Sequence, residues 1–63
     1  MKVYVNNQVV HIYAGMTVRH ALLTAGVLEE LKTSKKKVYD EWGNEIGLDG
    51  VLTEEARIYI REG

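Results

Sequence analysis

The side chains able to do chemistry in this chain are few, and their spacing rules out most reactions before any element is drawn. Its two histidines, His11 and His20, have no partner at metal-ligand spacing, and neither a His-x₃-His nor a His-Glu-x₂-His pattern occurs. Among the carboxylates, Asp40-Glu41 and Glu54-Glu55 are adjacent pairs. Such neighbours diverge on a strand or sit in a turn, so neither pair suits shared acid–base work. There is no cysteine, hence no disulfide, no thiolate metal site and no cysteine nucleophile. Ser34 is the single serine and lies in a polar stretch, and no Gly-x-Gly-x-x-Gly, phosphate loop or nucleophile elbow is present. The expectation is a protein that is not an enzyme and holds no cofactor or metal. The chemistry that remains is recognition. Tyr4, Val9, His11, Tyr13 and Tyr59, with Lys2, Arg57 and Arg61 beside them, have the composition enriched at interface hot spots, provided one face gathers them. The plainer reading is that the same aromatics only make cross-strand pairs on a solvated sheet.

Those residues need strands to carry them and a helix to define which side is the core. The helix is written between Thr17, a good N-cap, and Gly26, suited to the left-handed position past a helix end. Within it Val18, Ala21, Leu22 and Ala25 recur at helical period, while Arg19, His20 and Thr24 fall away from the stripe. The stripe is narrow and alanine-rich, which suits close packing on a sheet. Val27 to Leu31 could add a further turn or a short second helix. Lys32 and the run Lys35-Lys36-Lys37 read as a solvated connection near a helix C-terminus, where cations are favoured.

Met1 to Val5 and Gln8 to Tyr13 alternate as two strands about Asn6-Asn7, residues that tolerate the positive φ of a two-residue hairpin turn. Pairing about that turn sets Val5 opposite Gln8, Val3 opposite Val10 and Met1 opposite Ile12. A slip of one residue would exchange the two faces, so this register decides which residues are buried. Lys37 to Glu41 reads as a third strand, Glu45-Ile46 as a short fourth, and Ala56 to Arg61 as a last strand of clean period two. Trp42-Gly43-Asn44 is a turn signal and Gly47 to Gly50 a loop.

This order, with the first and last strands parallel at the centre, is that of an α+β fold of the β-grasp (ubiquitin-like) type. It predicts a mixed four- to five-stranded sheet packed on one helix, forming one domain over residues 1–63. A ferredoxin-like split βαβ sandwich would need a second full helix, for which no later segment has the period. The expected core is Val3, Val5, Val10, Ile12, Val18, Leu22, Ala25, Leu31, Val38, Leu52, Ile58 and Ile60. At this length the core is near the lower limit for stability without staples.

Charge narrows the partners. Eight Lys and Arg stand against nine Asp and Glu, a formal net charge of −1. No global field pulls toward nucleic acid or an anionic membrane, so neither is expected as a partner. No apolar run approaches bilayer length, and the opening residues read as a strand, not a signal peptide, which makes a cytoplasmic location the expectation. The expected partner is another protein, or a second copy in a homodimer.

Val3-Tyr4-Val5-Asn6-Asn7, the helix entry Ala14-Gly15-Met16-Thr17-Val18, and Ala21-Leu22-Leu23 resemble the first half of the small sulfur carriers. These are the thiamine-pathway carrier and the small subunit of molybdopterin synthase, both ubiquitin-like β-grasp proteins. The same half, with Ala25-Gly26, resembles the opening of two-iron ferredoxin domains. The ferredoxin resemblance implies a cluster held by four cysteines, which this chain lacks. The carrier resemblance implies a Gly-Gly terminus whose carboxylate is activated by an adenylating enzyme and then sulfurated. Here Gly63 matches the last glycine, while Glu62 stands in place of the other and adds bulk and charge beside the reacting carboxylate.

Overall fold

Asn6 and Asn7 both adopt the left-handed conformation, with φ of 49° and 68°, which is what a primed two-residue turn demands. The computed structural model describes residues 1–62 and opens with the expected hairpin. Strand β1 (Lys2–Val5) pairs antiparallel with β2 (Gln8–His11), Val3 opposite Val10 and Val5 opposite Gln8. Met1 and Ile12 exchange two backbone bonds of 2.6 and 2.9 Å, which carries the ladder one pair further. The Asn6 side chain accepts the Ile60 N–H at 2.9 Å and so ties the turn to the last strand.

Helix α1 (Val18–Ala25) follows an extended Thr17. Its third residue is His20, where a capping box usually has Glu or Gln, and the His20 Nδ1 accepts the Thr17 N–H at 3.2 Å. Two further donors at the helix start, the N–H groups of Val18 and Arg19, reach the carbonyls of Gly50 and Leu48 at 2.9 and 3.0 Å. At the other end Gly26 takes φ 79°, and Gly26 and Val27 donate to the carbonyls of Leu23 and Leu22, a Schellman closure.

Val27 to Leu31, left open between a turn and a helix, forms part of a six-residue helix α2 (Leu28–Thr33) that buries Leu28. Ser34 ends it, donating from both its N–H and its hydroxyl to the Glu30 carbonyl at 3.1 and 2.6 Å. Lys36 pairs with the Glu30 carboxylate, and this hydrogen bond and charge raise the Lys36 pKa above its ordinary value.

Strands β3 (Lys36–Asp40) and β4 (Arg57–Glu62) complete a sheet of order β2-β1-β4-β3, with β1 and β4 parallel at its centre. The protein is thus α+β, a mixed four-stranded sheet with two helices. The expected Glu45-Ile46 strand shrinks to one bridge between Glu45 and Tyr39, with the Ile46 N–H on the Val38 carbonyl at 2.9 Å. Gly43, at φ 84°, and Gly47 leave too few residues between them for a ladder. No helix among the described residues is long and apolar enough to cross a membrane.

Val3, Val5, Val10, Ile12, Val18, Leu22, Val38, Leu52 and Ile58 are buried as the alternation and helical period require, and Ala21 and Leu28 join them. Ala25, Leu31 and Ile60 pack against this core but stay half-buried. Ile60 lies past the point where β1 accompanies β4, since that parallel pairing runs only from Tyr4↔Arg57 to Val5↔Ile58. Among the described residues no strand covers its flank on that side.

Candidate functional site

Burial of Val3, Val5, Val10, Val38 and Ile58 on one side of the sheet turns the intervening residues outward. Both helices belong to the core side, so among the described residues no helix lies over the outer side. Register then decides who meets. Tyr4 lies opposite Val9 on β2 and Arg57 on β4, and Lys2 opposite His11. On the other half of the face Tyr39 lies opposite Tyr59, and Lys37 opposite Arg61.

The cations lean over the rings. The Arg57 guanidinium carbon is 4.3 Å from the Tyr4 ring centre, and the Lys2 ammonium 5.9 Å from the same ring. Arg61 sits 5.5 Å from the Tyr59 ring. These contacts draw a charge toward the negative face of an aromatic ring and restrict the arginine side chains. The Tyr59 hydroxyl makes a long contact, 3.5 Å, to the Asn7 side-chain oxygen. The Lys37 ammonium lies 3.8 Å from the Glu45 carboxylate at the margin of the face.

The structure therefore brings together Tyr4, Val9, His11, Arg57, Tyr59 and Arg61 on adjoining strands of one sheet face. It leaves Tyr13 apart. Strand β2 ends at His11, and the chain turns so that the Tyr13 carbonyl accepts the Met16 N–H at 3.1 Å. Tyr13 is 78% exposed and has no partner in the ladder. In exchange Tyr39 and Lys37 enter the face, which sequence reasoning missed. The alternation of Val38 and Tyr39 already put Tyr39 outward; what was missing was the pairing of β3 with β4, a long-range choice that no local signal carries. Glu62 is paired with Lys36 at the end of β4, and Gly63 lies outside the described residues.

Compared with protein families and with curated proteins, the chain matches none.

The other candidate side chains have local work. His20 closes the start of α1 and Ser34 the end of α2. Glu54 accepts the Lys2 N–H at 2.7 Å. Asp40 Oδ1 accepts the N–H groups of Asn44 and Trp42, each at 2.9 Å, and the Asn44 bond leads in holding its pKa below the ordinary aspartate value. No charged or polar residue is buried and no metal-binding cluster forms among the described residues. The arrangement can present half-buried rings bordered by cations that lie over them.

Proposed function

We propose that this chain is a ubiquitin-like β-grasp domain that works by binding another protein, without catalysis of its own. The β-grasp reading rests on the strand order, with parallel first and last strands at the centre and the helices on one side. The binding reading rests on one observation above others: Tyr4 with Arg57 stacked on it, continuing across the sheet to the facing pair Tyr39 and Tyr59. Tyrosine and arginine contribute most at interface centres because they bring large area with few rotors and a polar end. The binding face is Tyr4, Val9, His11, Tyr39, Arg57, Tyr59 and Arg61.

Affinity capture with immobilised protein tests this, comparing wild type with Tyr39→Ala, Tyr59→Ala and the control Lys35→Ala. The control should retain a captured protein that both tyrosine variants lose, at unchanged denaturation midpoints. Equal capture by all four would leave the face as ordinary solvated sheet. The sulfur-carrier alternative asks Glu62 and Gly63 to extend into an adenylating enzyme, whereas Glu62 is engaged with Lys36 in the ladder. That pairing is why the binding reading is preferred.

A further inference from the structure

The two outer strands of the sheet, β2 and β3, have differently treated edges. On β3 the outward backbone groups are taken. The Val38 carbonyl accepts the Ile46 N–H, and the Asp40 N–H donates to the Asn44 carbonyl, each at 2.9 Å. Lys36 and Lys37 add charge at the start of that strand. Strand β2 has no such protection. Gln8-Val9-Val10-His11 contains no lysine, no proline and no formal charge, and its pairing with β1 runs without a bulge. Those are the devices that normally keep strand edges apart.

The hairpin register fixes which groups this edge presents. Met1 and Ile12 exchange backbone bonds, and bonded pairs recur at every second residue of an antiparallel ladder. Val10 and Gln8 therefore turn their N–H and C=O groups toward β1, while Val9 and His11 turn theirs away. Among the described residues no other backbone group takes them. Tyr13, next in the alternation, is occupied: its N–H lies 3.4 Å from the Met16 sulfur, and its carbonyl takes the Met16 N–H. The Asn6-Asn7 turn closes the other end. The open edge is thus Val9 and His11, with Val10 between them.

We propose that this edge pairs with the same edge of a second copy, antiparallel about a two-fold axis through Val10. Val9 of each copy then lies opposite His11 of the other, and each of these two pairs exchanges two backbone bonds. An axis at Val9 would set His11 against the Asn7 turn, and one at His11 would set Val9 against the occupied Tyr13. Only the axis at Val10 uses every open group. An extended peptide offers the same bonds but must first be ordered, whereas two copies of β2 are already strands. With no formal charge on β2, the copies meet without like-charge repulsion. Val9, 45% exposed in the monomer, is covered beside His11 of the second copy. The two four-stranded sheets run on as one. So short an edge buries little area, which makes the dimer transient, with a dissociation constant of about 0.1–1 mM. The inference uses backbone groups of β2 and does not rest on the protein-binding reading.

Translational diffusion of the intact chain, measured by NMR from about 20 μM to about 2 mM, should follow a monomer–dimer equilibrium. Amide exchange with solvent over the same range should slow several-fold at Val9 and His11 as the dimer forms. The Val10 amide, bonded to Val3 in the monomer, should stay as it is. Val9→Lys puts a charge on the edge and should weaken the dimer at least about tenfold, with the denaturation midpoint little changed. Tyr39→Ala and Tyr59→Ala, on β3 and β4, should dimerise as wild type does, so failure of the edge and failure of the aromatic face are read separately. A monomer throughout the range overturns the proposal. A dimer with unchanged exchange at Val9 and His11 also overturns it, by assigning the contact to another surface. Protection that arises only when the captured partner is added overturns it too, by assigning the edge to a strand of that partner.

Discussion

His20 has the composition of a catalytic or metal-binding residue and the surroundings of a helix cap. Its Nδ1 faces the Thr17 N–H, and the Thr17 hydroxyl lies 3.1 Å from the same nitrogen. Removing that acceptor leaves an exposed donor at the start of α1, so His20→Ala should cost about 0.5–1 kcal/mol. His20→Glu should recover most of the loss, since glutamate is the usual partner at this position. Urea denaturation of the three proteins measures both effects. Asp40 makes a comparable local contribution, with a pH dependence. Its pKa is lowered in the folded protein, first by the Asn44 N–H bond. The stability it adds is therefore fully present above the ordinary aspartate value and is lost as pH falls through the lower folded value. Asp40→Asn should be less stable than wild type near neutral pH, and the two midpoints should converge as pH drops below about 4. A gap that stays constant down to acid pH would show that the carboxylate charge is not what the turn uses.

The hairpin illustrates how much of an element resides in a few residues. Asn6 and Asn7 share the left-handed conformation but differ in what their side chains do. Asn7→Gly relieves the positive φ of 68° and sacrifices only the long Tyr59 contact, so it should raise the denaturation midpoint. Asn6→Gly relieves its own φ of 49° but strips the acceptor from the Ile60 N–H, and should lower stability by about 1 kcal/mol. The hairpin and α1 were readable because their instructions are local: paired asparagines, an N-cap and a glycine stop, with periods of 2.0 and 3.6 between them. Helix α2 was half-readable, since six residues carry too little period to separate a helix from a turn. The expected Glu45-Ile46 strand is a single bridge to Tyr39, because two residues set between Asn44 and Gly47 are too few for a ladder. Strand β2 starts at Gln8 as expected but stops at His11, two residues short of Tyr13, for a related reason. Tyr13 keeps the alternation in sequence, and only the turn to Met16 takes it out of the sheet.

At the scale of the whole molecule, the four-stranded sheet has its helices on one side, and its uncovered side collects rings and cations from every strand. A formal charge of −1 conceals this, because Lys2, Lys37, Arg57 and Arg61 lie on strand residues that face outward while the strand carboxylates do not join them. The aromatic face was therefore partly visible in the alternation of single strands and partly hidden in their pairing. Tyr39 belonged to it and Tyr13 did not, and no residue-by-residue pattern distinguishes the two.

Protein binding by this face is measured most directly as the dissociation constant of the captured partner against single face variants. Isothermal titration of that partner with wild type, Tyr39→Ala and Tyr59→Ala should give losses of about 2 kcal/mol, roughly thirtyfold in Kd, at each tyrosine. Denaturation midpoints measured in parallel should show all three proteins folded. Unchanged dissociation constants in both variants, with the fold intact, would contradict the claim.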